Sequence, residues 1–155
     1  MASVDTTGYT TDMAGLKQSV GRTLGPTEWS EMTQDLVDEF AELTGDHNFI
    51  HVDPLRARDT QFGGTIAHGF LSLALLAPVT QLLSVADAAT SINYGLNKVR
   101  FPGPLKVGAR YRGVAEITAA AQIRGGVEVH MTATMEVQNA ERPAVVAESV
   151  VRFYA

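Results

Sequence analysis

The chain has no cysteine, which excludes disulfides, thiolate nucleophiles and cysteine-based zinc sites together. That absence fits a reducing, cytoplasmic compartment. Charge is sparse: 19% of residues are charged, 12 Lys and Arg stand against 17 Asp and Glu, and the net charge is −5. With a pI near 5.3 there is no basic field to hold a phosphate backbone, so nucleic acid is not an expected partner. A phosphate-bearing small ligand would need a local cluster of cations. An uninterrupted hydrophobic run of spanning length is also missing. Ile66 to Ala88 is long enough, but His68, Ser72, Pro78, Thr80, Gln81 and Asp87 break it, too many polar groups for hydrocarbon. The start, MASVDTTGYTTDMAG, lacks the basic n-region and apolar core of a secretory signal and reads as a flexible lead-in over residues 1–19. Repeats and low-complexity segments are not evident.

What is present is a 45% hydrophobic content over 155 residues, enough for one domain with a substantial core over residues 20–155. Thr33 is a predicted N-cap, Asp35 sits in the first turn, and Leu36, Val37, Phe40 and Ala41 form one apolar stripe before a Gly45 stop. Asp53-Pro54 predicts a second, short helix to Arg58. Gln61 to Thr65 reads as a loop. Ala67-His68-Gly69 leads into an apolar helix covered on most sides by protein, which Pro78 should bend. After Thr90 the apolar period changes from about 3.6 to 2. Val127, Val129, Met131, Ala133 and Met135 alternate with Glu128, His130, Thr132 and Thr134, and further strands are expected near 91–101, 110–121 and 144–154, with a short one possible near Glu28 to Met32. Helices followed by a four- or five-strand meander is an α+β order, and wrapping one curved antiparallel sheet around the apolar helix buries both.

The chemistry concentrates in Phe40 to His51, FAELTGDHNFIH. Asp46 and His51 are five apart in a short connection after a glycine stop, where a carboxylate and an imidazole can share one water molecule, as general acid-base chemistry requires. Asp46 and Asn48 could equally do no more than shape the turn. A metal set of His47, His51 and Asp46 would need a continuous helix through Gly45. The Gly45 stop and the Asp53-Pro54 start assign residues 46–52 to the gap between helices instead, so no metal ligand is assigned.

With these features in place the chain resembles the MaoC-like branch of the hot-dog fold, whose best-known members are R-specific 2-enoyl-CoA hydratases (hydratase 2). The resemblance runs from about Val20 to Ala155 and is carried by Gly45-Asp46, Asn48, His51 and His68-Gly69. Ile92 to Pro102 looks like a mycobacterial-type single-domain member. The chain departs from the commoner motif at Phe49, where proline usually follows the asparagine, and near Ala77, where some members carry serine.

The resemblance implies a hydro-lyase that adds water to trans-2-enoyl thioesters to give (R)-3-hydroxyacyl thioesters, reversibly, in fatty acid metabolism. It implies Asp46 and His51 as the catalytic pair, Asn48 as a residue that helps fix the loop, and the Gly69 N–H as a donor to the thioester oxygen. No cofactor is implied beyond the coenzyme A carried by an acyl-CoA substrate; an acyl carrier protein is the alternative carrier, and a homodimer is expected. Candidate contacts to the coenzyme A phosphates are Arg56, Arg58, Lys98, Arg100 and Lys106. His68 reads as structural at the helix entrance and His130 as surface. Two rivals share the architecture. A hot-dog thioesterase usually places Glu or Asp on the central helix, and residues 69–86 hold neither; a non-catalytic acyl-binding or partner subunit would have no need of both Asp46 and His51.

Overall fold

In the computed structural model the described residues are 8–155. They form, in order, β1 (Tyr9–Thr11), a 3-10 turn (Leu16–Ser19), β2 (Thr23–Leu24), β3 (Ser30–Glu31), α1 (Gln34–Thr44), α2 (Phe49–Val52), α3 (Pro54–Ala57), α4 (Gly69–Ala74), α5 (Ala77–Thr80) and β4 (Leu83–Val85). Four long strands follow: β5 (Thr90–Arg100), β6 (Arg110–Ile123), β7 (Gly126–Val137) and β8 (Val145–Tyr154).

The sheet runs in the order β2-β6-β7-β8-β5, with β3 also paired to β6. Only β6, β7 and β8 form a meander. β5 does not lie beside β6, as a simple meander would have it, but pairs antiparallel with β8. The chain between them passes Pro102-Gly103-Pro104 and then lies against the entrance of α4. There Ala67 N–H donates to Leu105 O at 2.8 Å and Val107 N–H to Thr65 O at 3.0 Å, with Ile66 bridged to Lys106. This crossing links the sheet to the segment that precedes the helix. Register shifts at Ile117/Ala119 in β6 and at two points in β5 mark bulges of the kind that bend a strand, and the sheet curves around α4 and α5.

The alternation in β7 is borne out. Val127, Val129, Met131, Ala133 and Met135 are buried and their polar neighbours are half-buried. They meet Leu71, Leu76 and Val79 from the helices. Gly113 on β6 allows the closest approach, because a Cβ built there would lie 3.0 Å from that of Val79.

Three expectations need correction. The apolar helix is two short helices that break at Leu75-Leu76, just before Pro78 rather than at it, since proline is comfortable in the first turn of the second one. It is covered on one side only. Leu71, Ser72, Leu76 and Val79 are buried while Phe70, Ala74 and Ala77 are exposed. Finally, the lead-in expected over residues 1–19 is built into the fold from residue 8: β1 pairs in parallel with β4, and Leu16 is fully buried. Residues 1–7 of that segment lie outside the described residues.

Candidate active site

The helix α1 is built as its sequence dictates. The Thr33 side chain accepts from Leu36 N–H, and Gly45 closes the helix at φ 78° while its N–H donates to Ala41 O at 2.8 Å, a left-handed stop that favours glycine. The chain then turns sharply through Asp46, whose Oδ1 accepts from Asn48 N–H at 3.2 Å. Asn48 Oδ1 in turn accepts from Ile50 N–H at 3.4 Å and caps α2. The segment 46–52 is therefore not all gap. A single helical turn, Phe49–Val52, fits between the Asn48 cap and the Asp53 cap of α3, and it carries His51.

His51 is 8% exposed. Its Nδ1 lies 2.7 Å from the main-chain oxygen of Ile66. A carbonyl only accepts, so the proton resides on Nδ1 and the Nε2 lone pair is bare. That Nε2 lies 4.0 Å from Asp46 Oδ2, and the Asp46 side chain is 55% exposed. The gap is too long for a direct hydrogen bond and suits one bridging water. Burial pushes the His51 imidazole below the ordinary histidine range, and His68 adds to this; the Ile66 carbonyl and Asp46 act the other way. The net direction keeps His51 a neutral base at neutral pH.

His68, 3% exposed, stacks on His51 with ring centroids 3.9 Å apart and planes 24° apart. Its Nε2 donates to the main-chain oxygen of Asp46 at 3.0 Å, and Phe40 packs against it at 5.0 Å. Its Nδ1 is buried without a partner. Gly69 follows as the first residue of α4, where a main-chain N–H has no intrahelical acceptor. The Phe101 ring covers this glycine: a Cβ there would come 3.1 Å from its edge.

The metal set of His47, His51 and Asp46 is not assembled. His47 turns outward to Glu42, Nε2 to Oε1 2.8 Å, and that contact raises its pKa. Asp46, His51 and His68 do bring ligand atoms within 4.8 Å of one another. Yet His51 Nδ1 and His68 Nε2 are engaged with carbonyls, and two rings stacked in nearly parallel planes do not aim their lone pairs at one ion. Tetrahedral ligation needs convergent donors. The arrangement suits a water between carboxylate and imidazole.

One contributor was not legible from spacing. Gln34, first residue of α1, donates through Nε2 to the main-chain oxygen of His51 at 2.8 Å, and its Oε1 accepts from Thr65 Oγ1 at 2.6 Å. It braces α1, α2 and the loop before α4. Its partners lie 17 and 31 residues away, and one is a main-chain atom, so no motif marks it.

The candidate cations are all exposed. Lys106 is bridged to Ile66 before α4; Arg56 is spread over the Phe49 ring at 4.2 Å, and Arg100 turns back to Val99 O. Lys98 sits on β5, and Arg58 closes α3. His130 pairs with Glu128 at 2.8 Å on the outer sheet face. An apolar cleft of about 510 Å³ runs along the open side of the helices, with Phe70, Leu73, Ala77 and Leu96 among its walls; Asp46, His51 and Gly69 do not line it.

Among known proteins, the model of the MaoC like domain matches residues 16–141. A 3-hydroxyacyl-thioester dehydratase Z of Mycobacterium tuberculosis is 45% identical over 145 residues, covering 92% of this chain and 96% of that protein. A nodulation protein N of Rhizobium leguminosarum is 41% identical, covering 87% and 86%. The solved structure of an (R)-hydratase from A. caviae involved in PHA biosynthesis superposes with a TM-score of 0.71 at 27% identity, covering 85% of this chain and 94% of that one. This chain and that hydratase share the hot-dog architecture.

Proposed function

The chain belongs to the MaoC-like family, and from that membership and the geometry at Asp46 and His51 we propose that it is an R-specific hydro-lyase interconverting trans-2-enoyl and (R)-3-hydroxyacyl thioesters. The observation that carries the reading is the 4.0 Å gap between Asp46 Oδ2 and a His51 Nε2 that carries no proton because Nδ1–H donates to the Ile66 carbonyl.

The chemistry follows from those atoms. Conjugation to the thioester makes C3 of the substrate electrophilic once the carbonyl is polarised. The Gly69 N–H is the proposed donor to that oxygen, and a single donor of this type is worth about 3–4 kcal/mol in the transition state. A water held by the Asp46 carboxylate attacks C3 while its proton passes to His51 Nε2; the π electrons move to the thioester as an enolate. Collapse of the enolate takes the proton from Nε2 to C2, so water is added and the pair is restored. Asn48 holds Asp46 in place. The reverse sequence is dehydration, and the equilibrium sets the direction. No group beyond substrate, water and protein enters the scheme.

We place the acyl chain in the apolar cleft, which begins at Phe70 beside Gly69, and the coenzyme A phosphates near Lys106, with Arg56, Arg58, Lys98 and Arg100 as further candidates. An acyl carrier protein in place of coenzyme A is compatible with the same site. A homodimer is part of the proposal. β5 is an open sheet edge with Ile92, Tyr94 and Leu96 all more than 40% exposed beside Phe70 at 75%, the kind of edge that a second copy covers. A cysteine-free chain fits cytoplasmic fatty acid metabolism. No helix among the described residues is long and apolar enough to cross a membrane.

The test is purified protein with a trans-2-enoyl-CoA, following loss of the conjugated-thioester absorbance. Hydration is the expected outcome, and Asp46→Asn and His51→Ala should each lower kcat/KM by about a hundred- to ten-thousandfold, the usual worth of a positioned acid or base, in protein that remains folded. Release of free thiol would point to the thioesterase reading, and full turnover by both variants would overturn the assignment of the pair.

A further inference from the structure

We propose that His68 is a positioning residue for the Asp46–His51 pair, one buried imidazole that touches both members and fixes the gap the attacking water spans. The inference rests on the reading of Asp46 and His51 as the water-handling groups.

Asp46 sits in an exposed turn and needs an anchor. Among the described residues its hydrogen bonds run to Thr44 and Asn48 within the same turn, and the bond from His68 Nε2 to its main-chain oxygen is the one that reaches another element. That bond ties the turn to the head of α4. The same ring lies flat against His51 at 3.9 Å, so the height of the His51 ring above the turn is set by the thickness of one imidazole. His51 is held from its other end by the Ile66 carbonyl, and Phe40 of α1 packs against His68. The Asp46 carboxylate and the His51 Nε2 are thus referenced to a common body, although they come from a turn and a separate helix. With its proton on Nε2, His68 leaves Nδ1 buried and without a partner. A displacement of about 1 Å between reacting groups can cost about a hundredfold in rate, which is why a turn held only by its own local bonds would be a poor place for a catalytic carboxylate.

Two substitutions separate the functions of the ring. His68→Phe keeps the stack on His51 and loses the bond to Asp46, while His68→Gln offers an amide N–H at a similar reach. His68→Phe should lower kcat about tenfold to a hundredfold with KM within about twofold, and His68→Gln should recover most of that loss. The decisive measurement is the cycle with Asp46→Asn. Because His68 acts through Asp46, His68→Phe should cost little further in the Asp46→Asn background. Equal losses in both backgrounds would overturn the proposal and make His68 a structural residue only. Should His68→Phe fail to fold, His68→Asn, whose amide is too short to reach, takes its place in the same cycle. Failure of the underlying reading is distinguishable, since Asp46→Asn alone would then stay active.

Discussion

Gln34 is the most exacting point at which to test how the site is held. Replacing it with alanine removes two part-buried hydrogen bonds, one to the His51 main-chain oxygen at 2.8 Å and one from Thr65 at 2.6 Å. A third, to Asp38 at 2.8 Å, faces solvent and counts for little. Each buried bond is worth about 1 kcal/mol net, and the Thr65 hydroxyl, 6% exposed, is stranded without an acceptor, which adds a desolvation penalty; together they give about 2–3 kcal/mol. For a domain of this size 1 kcal/mol corresponds to about 2–4 °C, so the midpoint of thermal unfolding should fall by roughly 5–10 °C. The stranded hydroxyl gives the prediction its sharpest edge. Thr65→Val removes that hydroxyl at nearly constant shape, so in the double variant the penalty disappears and the two changes should couple by about 1 kcal/mol. Urea unfolding of the four proteins reads this directly. Strict additivity, or a Gln34→Ala midpoint unchanged, would refute the claim that this side chain braces the site.

Gly69→Ala places a methyl group 3.1 Å from the Phe101 ring, which is close enough to push against a ring that is itself 47% exposed and free to yield. Activity should fall with little loss of stability, and Gly69→Ala with Phe101→Ala should stay impaired, because the substrate carbonyl also needs that space; full recovery in the double variant, measured as kcat/KM, would assign the glycine to packing alone. Charge on the open edge should weaken self-association: Ile92→Lys with Tyr94→Glu should convert a dimer to a monomer in sedimentation velocity, and a wild-type chain that sediments as a monomer at micromolar concentration would remove the homodimer from the proposal.

The parts of this fold that were legible in the sequence are those governed by local rules. The alternation in β7, the Thr33 and Gly45 ends of α1 and the Asp53-Pro54 start of α3 follow from side-chain period and cap chemistry acting within a few residues. What escaped depends on partners distant in the chain. β1 finds β4 by a parallel pairing across 74 residues, and Leu83 and Val85, apolar on either side of Ser84, extend the apolar run of the preceding helix until the tertiary structure straightens them. The exchange of β5 to the β8 edge leaves no local mark either. The same division holds at the site. Asp46, Asn48 and His51 share one short segment and announce themselves, whereas the Gln34 brace and the two-sided contact of His68 are products of folding. A histidine at a helix entrance is commonly structural, and nothing local in the sequence places the His68 ring flat against that of His51.

The partner that orients His51 is a main-chain oxygen, and this has an evolutionary consequence. Where a carboxylate side chain fixes the tautomer of a catalytic histidine, one nucleotide change can delete it. The Ile66 carbonyl exists whatever residue occupies that position, so mutation can remove the proposed pair of Asp46 and His51 themselves but cannot erase the atom that decides which nitrogen bears the proton. Drift at position 66 is free to tune the surroundings while the acid-base polarity of the imidazole is inherited with the backbone.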